Sequence, residues 1–208
     1  MVAIQGSLLG LGSEVQIGAL ESGLERLELG DGAWLDVRRG WIEGGDVVFS
    51  RLADAVPWRA ERRPMYDRVV DVPRLLAFYD AGEPLPDGVL LEMREALRGH
   101  YRGTPGDDVS TAGLCLYRDG HDSVAWHGDR FGRGNSADVL VAITSFGATR
   151  PFLVRPRGGG RSLRLVLDSG DLLVMGGSCQ RTFDHCVPKT TRPVGGRISV
   201  QFRSAGVR

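Results

Sequence analysis

Lysine is almost missing from this sequence. Lys189 is the one lysine among 26 basic residues, so the other 25 are arginines. The net charge is zero, because 26 acidic residues balance the basic ones. No field of the whole molecule therefore draws the chain to nucleic acid or to a membrane. The arginine bias has two readings, a GC-rich genome or a need for the forked guanidinium that binds carboxylates and phosphates.

Patterns of secreted and membrane-spanning chains are also absent. The 3 cysteines contain no C-x-x-C pair, so neither a disulfide framework nor a zinc knuckle is indicated. No apolar run approaches the ~20 residues that span a bilayer, and the first residues carry no basic segment before an apolar one. We expect a cytoplasmic monomer with reduced thiols and no membrane partner.

The 208 residues are predicted to form one domain whose two halves differ in their sequence pattern. Residues 1 to about 105 are expected to be a helical and loop extension that includes a lid. Helices are predicted in "GGDVVFSRLADAVPW" with Asp46 as N-cap, in "DVPRLLAFYDAG" up to Gly82, and in "LPDGVLLEMREALRGHYRG". The stretch "WRAERRPMYDRVV" between the first two is predicted to be a surface loop or edge ribbon.

Residues from about 106 to 208 instead show short β-type runs separated by turns. Eight runs follow one another without helices between them, which predicts a β-sandwich or barrel. They are "STAGLCLYRDG", "SVAWH", "DVLVAITSFG", "PFLVRP", "RSLRLVLDSG", "DLLVMGG", "RTFDHCV" and "RISVQFR".

A histidine and an aspartate one residue apart, His127 and Asp129, end the second of these runs. Residues i and i+2 of a strand face the same side, so both side chains could enter one cavity. The alternative to a metal site is an ordinary strand end that continues into a polar loop. A mononuclear non-heme iron site needs a third ligand, and His185 is a better candidate than His100 or His121, which fall at a helix end and in a turn.

The last run, "RISVQFR", alternates so that Arg197, Ser199, Gln201 and Arg203 face one way. Two guanidinium groups aimed into a barrel are costly unless they meet anions. A dicarboxylate would supply those anions. The chain thus contains, in order, H-x-D, H and R-x5-R.

At these residues the sequence resembles the AlkB family of Fe(II)- and 2-oxoglutarate-dependent dioxygenases. The matching stretches are "LYRDGHDSVAWHGD", "SFGATRPFLVR", "GDLLVMGGSCQRTFDHCVPK" and "GRISVQFR", with weaker similarity in "PWRAERRPMY" and "VAIQGSL". The resemblance implies a mainly β fold, a double-stranded β-helix of the jelly-roll, cupin-like type with N-terminal helices and a nucleotide-recognition lid.

The resemblance also implies site residues and chemistry. His127, Asp129 and His185 would bind Fe(II). Arg203 would grip the distal carboxylate of 2-oxoglutarate, Tyr117 would hydrogen-bond to it, and Arg197 would lie beside the carboxylate ligand. The family uses O2 to remove N-linked methyl groups from damaged bases as formaldehyde. Cys115 and Ser199 stand where many members have asparagine, which weakens the expected hydrogen bonding to the cosubstrate.

The expected substrate is alkylated single- or double-stranded DNA, or RNA, that carries 1-methyladenine or 3-methylcytosine. Such bases pair poorly and are easier to flip out of a duplex. Substrate-side candidates are Tyr66, as a stacking platform or a packed lid residue, Arg150, Trp126, and Phe131, which stands where many relatives have an acid. Arg62, Arg63 and Arg68 could contact phosphate or form a solvated edge.

Two other functions stay open from the sequence. One keeps iron and 2-oxoglutarate but changes the substrate to a protein, an RNA or a metabolite. The other is a non-catalytic module that binds nucleic acid. A pure binder would have no need of three metal ligands with open positions, so the ordered motif set favours an enzyme.

Overall fold

The computed structural model describes residues 15–65, 68–130 and 132–207, leaving the side chains of 63–70 and 133 undescribed. Its strands in the first half of the chain are β1 (Gln16–Ile17), β2 (Leu24–Gly30), β3 (Ala33–Arg38), β4 (Ile42–Glu43), β5 (Arg59–Met65) and β6 (Arg68–Tyr79). Those in the second half are β7 (Thr111–Tyr117), β8 (Val124–His127), β9 (Val141–Gly147), β10 (Arg150–Pro156), β11 (Leu163–Leu167), β12 (Leu172–Gly177), β13 (Phe183–Val187) and β14 (Arg197–Arg203). The helices are α1 (Gly45–Ala55), α2 (Gly88–His100) and α3 (Cys179–Thr182), with a 3-10 turn at Arg133–Asn135.

Two antiparallel sheets face each other and form a jelly roll. The larger has the strand order β2-β3-β12-β9-β14-β7-β6-β5, and the smaller has the order β11-β10-β13-β8. Strands β7 to β14 supply four members to each sheet, as in a double-stranded β-helix. All eight predicted β-runs are strands, so the predicted fold is confirmed.

The core has two layers, one on each side of the larger sheet. Between the sheets lies an apolar cluster that includes Leu35, Ile143, Phe152 and Met175. On the outer side, α1 and α2 cover a second cluster, to which Ile198, Val200 and Phe202 of β14 belong. The alternate residues Arg197, Ser199, Gln201 and Arg203 therefore face the space between the sheets.

Two of the three predicted helices form, and the third is a strand. Helix α2 begins after Asp87, whose carboxylate accepts from the backbone N–H of Val89, and α1 covers the predicted stretch, although Gly44 rather than Asp46 is its N-cap. The stretch from Asp71 to Gly82 is not a helix, because β6 runs through it and pairs with β5 and β7. In the arginine-rich stretch before it, the described residues Arg59–Met65 form β5 at the edge of the larger sheet, which agrees with the predicted edge ribbon.

The first half of the chain also contains strands that were not predicted. Strands β2 and β3 form a hairpin that extends the larger sheet beyond β12. No helix among the described residues is long and apolar enough to cross a membrane.

Candidate active site

Three potential metal ligands meet at the end of the smaller sheet. His127 ends β8, and the register pairs it with His185 of β13. Asp129 follows β8 by two residues. The ligand atoms of His127, Asp129 and His185 all lie within 4.8 Å of one another. The structure thus brings together the three residues predicted to bind a metal.

The protonation states of these side chains suit metal binding. Burial lowers the pKa of His185 to about 3, so its imidazole is neutral at pH 7. Burial alone would raise the pKa of Asp129, but nearby charges, Arg203 first among them, outweigh it and hold the pKa below its usual value. A neutral imidazole and an ionised carboxylate are the forms that bind a metal.

Neighbouring groups fix the orientation of the three ligands. The Nδ1 atom of His127 lies 2.8 Å from the carbonyl oxygen of Ala125, so Nε2 faces the other ligands. The ring of Phe152 stacks on His185 at 5.3 Å. The backbone N–H of Asp129 donates to Oε1 of Gln180 at 2.8 Å, and both residues are buried. Gln180 lies in α3, and no sequence pattern marked it as part of the site.

Of the two arginines of β14, a different one from that predicted lies beside the carboxylate ligand. Nη1 of Arg203 lies 3.6 Å from Oδ2 of Asp129, so Arg203, and not Arg197, is beside the carboxylate ligand. Arg197 lies at the far end of the strand, opposite Tyr117 and Gly147. Strand length separates the two, because six residues extend about 20 Å.

Arg197 is a buried cation with spare donors. It is 1% exposed, and burial lowers its pKa. Its Nη2 donates to Oγ of Ser145 at 2.7 Å, while Nε and Nη1 have no partner among the described residues. Its guanidinium carbon lies 5.2 Å from the centre of the Tyr117 ring. A buried charge with free donors requires an anion, so this end of the pocket suits one carboxylate of a dicarboxylate.

The predicted cosubstrate residues Tyr117, Cys115 and Ser199 line the same interior surface. Burial raises the pKa of Tyr117, so its hydroxyl stays protonated. Cys115 and Ser199 both contact Gln201, whose Nε2 lies 3.4 Å from the sulfur of Cys115 and 2.7 Å from Oγ of Ser199. Oε1 of Gln201 accepts from Nη2 of Arg203 at 2.7 Å. The side-chain amide of Gln201 thus contacts both positions at which many family members have asparagine. The sequence did not predict this contact.

Two predicted substrate residues lie elsewhere. Arg150 is 1% exposed and donates to the backbone carbonyls of Asp119, Asp122 and Pro188, so it joins loops instead of meeting a base. Trp126 precedes His127 and therefore faces the opposite side of its strand. There its ring packs under Arg155 at 4.1 Å. Tyr66 and Phe131 lie outside the described residues.

One further ion pair flanks the ligands. Nη2 of Arg130, the residue after Asp129, lies 2.7 Å from Oδ1 of Asp184, the residue before His185. Arg181 also pairs with Asp138. These pairs and Gln180 hold the chain after β8 against α3 and β13, which fixes the position of Asp129.

The chain is similar to a known protein family and to several characterised proteins. The model of the 2OG-Fe(II) oxygenase superfamily matches residues 80–203. Rat "Alpha-ketoglutarate-dependent dioxygenase alkB homolog 3" is 30% identical over 181 residues, 78% of this chain and 60% of that protein. Human "DNA oxidative demethylase ALKBH2" is 28% identical over 177 residues, 76% of this chain and 67% of that protein.

The chain spans about three fifths of the length of the alkB homolog 3 proteins it matches, 60% for the rat protein and 62% for the human one. A solved structure, "The structure of OsALKBH1", superposes with a TM-score of 0.56 at 15% identity and covers 86% of this chain and 100% of that chain. At that identity the likeness concerns the fold.

Proposed function

The chain belongs to the 2OG-Fe(II) oxygenase superfamily, with relatives that bear out the AlkB resemblance, and on this premise we propose that it demethylates N-alkylated bases in nucleic acid. The proposed cofactors are Fe(II), 2-oxoglutarate and O2, as the superfamily implies. The proposed products are the restored base, formaldehyde, succinate and carbon dioxide.

The donor set fits Fe(II). Two imidazoles and one carboxylate within 4.8 Å of one another are the ligand types and number that non-heme iron oxygenases use, and they leave coordination positions open. When bound, the iron supplies the oxidising chemistry that O2 and 2-oxoglutarate make possible. The protein positions the reactants and excludes other groups.

The proposal rests on two features that occur together: the three potential metal ligands and the buried cation Arg197. Its Nε and Nη1 are buried without a partner among the described residues, in the same interior that holds Asp129 and His185. Arg197 would bind the distal carboxylate of 2-oxoglutarate, with Tyr117 beside it. Arg203, next to Asp129, would face the end of the cosubstrate near the metal.

We assign nucleic-acid recognition to the hairpin of β5 and β6, which includes the arginine-rich stretch and forms part of the predicted lid within residues 1–105. Methylated bases that pair poorly, 1-methyladenine and 3-methylcytosine, remain the proposed lesions. Tyr66 would stack on the flipped base, and Phe131 would contact it. The hairpin is attached to the catalytic core, which we propose to be residues 106–208.

The partner proposed for the whole protein is alkylated DNA, or RNA with the same lesions, bound by a monomer. We propose the cytoplasm as its compartment, because the three cysteines are free and buried and a reducing environment keeps them so.

The charge beside the ligands favours a second candidate, a dioxygenase with a substrate other than a cationic base. Asp184 is the carboxylate next to His185, and Arg130 already engages it. Bound by Arg130 and facing the other side of β13 from His185, it does not pair with the positive charge of 1-methyladenine. A neutral substrate, on or off nucleic acid, would not need that partner.

The test uses purified protein with Fe(II), ascorbate and 2-oxoglutarate, and single-stranded DNA that carries 1-methyladenine or 3-methylcytosine. The mass of the oligonucleotide and the amount of succinate are followed with and without iron. Iron-dependent loss of the methyl group is the expected result. Succinate without change in the DNA would favour the second candidate. No succinate, with iron bound, would refute both and leave a binding role.

A further inference from the structure

Arg74 lies on a strand that belongs both to the hairpin and to the core. Strand β6 pairs with β5 at one side and with β7 at the other. Leu76 lies opposite Cys115 and packs against the apolar cluster between the sheets. Arg74, two residues earlier, lies where the β5–β6 register is irregular, and its side chain interacts with Cys115 on the same interior surface. The hairpin thus places an arginine in the cosubstrate pocket.

Arg74 is tied to the strand that carries a metal ligand. Its Nη1 donates to the carbonyl of Ser123 at 3.1 Å, and the backbone N–H of Ser123 donates to the carbonyl of Pro73 at 2.8 Å. Ser123 immediately precedes β8, which ends at His127. The Nε atom of Arg74 is buried and has no partner among the described residues.

The charge of Arg74 reaches the pocket. It helps to lower the pKa of Asp129, and it lies close enough to Tyr117 to affect that pKa as well. Burial opposes its own charge, but the neighbouring Cys115 and Tyr117 leave its pKa above the ordinary value. Arg74, Arg197 and Arg203 thus bring three guanidinium groups, each with a buried N–H lacking a partner among the described residues, to one interior.

We propose that Arg74 is a cosubstrate-binding residue supplied by the hairpin, and that it couples the binding of 2-oxoglutarate to the binding of nucleic acid. This inference rests on the proposed function. A carboxylate that accepts from Nε of Arg74 fixes the middle of β6. The same strand leads to the hairpin tip, so a ligand at either place biases the position of the other. Such coupling is reciprocal.

The first measurement is the dissociation constant of 2-oxoglutarate by calorimetry, without oxygen, on protein loaded with redox-inert Mn(II). Arg74→Met is expected to weaken binding about 10- to 100-fold, the range for a buried charged hydrogen bond. Arg62→Met is the matched control. Arg62 lies on the same hairpin, is 68% exposed and pairs with Asp71 in solvent. Its substitution should leave the constant within about twofold.

The second measurement is the dissociation constant of a methylated oligonucleotide, with and without saturating 2-oxoglutarate. We expect 2-oxoglutarate to tighten binding about fivefold or more in the wild type and in Arg62→Met, the lower end of usual coupling. In Arg74→Met the ratio should fall to about one, while the constant without 2-oxoglutarate stays unchanged. Arg74→Lys, which keeps the charge but lacks Nε, should keep part of the affinity and lose the coupling.

The possible failures are distinct. If the wild type does not bind 2-oxoglutarate, the proposed function falls, and this inference with it. If the wild type binds and Arg74→Met binds equally well, Arg74 is not a cosubstrate residue and the proposed function stands. A variant with weaker cosubstrate binding but unchanged ratio would refute the coupling. Parallel loss of thermal stability and of oligonucleotide binding without 2-oxoglutarate would make Arg74 a scaffold residue only.

Discussion

Replacing Arg197 by methionine should have opposite effects on the protein with and without 2-oxoglutarate. Without the cosubstrate, Nε and Nη1 of Arg197 are buried donors with no partner among the described residues, and each such donor costs ~1–3 kcal/mol. Methionine removes both donors and the charge, and leaves Oγ of Ser145 without its donor. We expect the variant to be more stable by about 1–2 kcal/mol, since apolar replacements of buried charges are often neutral or stabilising.

The same substitution should weaken the binding of 2-oxoglutarate. Two charged hydrogen bonds to the distal carboxylate, at ~1.5–3 kcal/mol each, are worth about 3 kcal/mol or more, which weakens binding at least about 100-fold. At a concentration of 100 times the wild-type Kd, the cosubstrate stabilises the wild type by about 2.7 kcal/mol. The same concentration equals the Kd of the variant and stabilises it by only about 0.4 kcal/mol.

Thermal unfolding followed by circular dichroism, on Mn(II)-loaded protein with and without 2-oxoglutarate, measures both effects. The melting temperature of Arg197→Met without cosubstrate should rise by about 2–8 °C for a chain of this size, and its shift with cosubstrate should nearly vanish. Arg164→Met, a substitution of an exposed arginine on β11, is the control and should change neither. A variant that is less stable than the wild type and still shifts fully would refute the assignment of Arg197.

Two further substitutions test the metal ligands and their support, and a third tests an ion pair outside the site. Asp129→Ala should abolish iron-dependent turnover and weaken Fe(II) binding about tenfold or more, with the circular dichroism spectrum retained; retained iron after dialysis would contradict the ligand assignment. Gln180→Leu should weaken metal binding about 10- to 100-fold by leaving the N–H of Asp129 unpaired, and equal affinity would remove Gln180 from the site. Asp122→Asn should lower the free energy of unfolding at pH 7 by ~1–3 kcal/mol, because Asp122 accepts three hydrogen bonds from Arg118. Burial would raise the pKa of Asp122, but the bonds of Arg118 outweigh it and the pKa is lowered, so this contribution is present above pH ~3.9 and is lost as the pH falls through the lower folded pKa. Urea unfolding at pH 7 and at pH 3 measures the difference, which should narrow at the lower pH; a difference that does not narrow would contradict the role of the carboxylate.

The strands of the second half could be predicted because turns separate short apolar or alternating runs. The β2–β3 hairpin carried a signal too. Asp31 and Gly32 both have positive φ, 53° and 75°, and Asp-Gly is a preferred pair for a two-residue hairpin turn. Strand β6 had no such signal. Its apolar stretch contacts the barrel interior through Leu76 and the outer cluster through Ala77 and Tyr79, so it lacks alternation and resembles a short helix.

The site residues also fall into those that the sequence predicted and those that it did not. The order H-x-D, H and R-x5-R identified the three ligands, because their types and spacing are fixed by metal chemistry. Which arginine meets Asp129 depends on how β14 lies relative to β8 across the barrel, and spacing along one strand does not contain that information. Gln180, Gln201 and Arg74 come from separate elements, and their contacts are set by the packing of the sheets.

The charges inside the barrel should link the binding of the metal to the binding of the cosubstrate. Arg150 donates to three backbone carbonyls and keeps only Nε without a partner among the described residues. Arg203 lies beside the carboxylate of Asp129, whereas Arg197 lies at the far end of β14. Arg74, Arg197 and Arg203 each keep a buried N–H without a partner among the described residues. Fe(II) adds two positive charges at the ligands, and a dicarboxylate adds two negative ones. A metal bound alone therefore adds positive charge to an interior that already holds these arginines, which is unfavourable until an anion binds with it. It follows that metal and 2-oxoglutarate should bind with positive cooperativity, with each tightening the other through the shared field of these arginines.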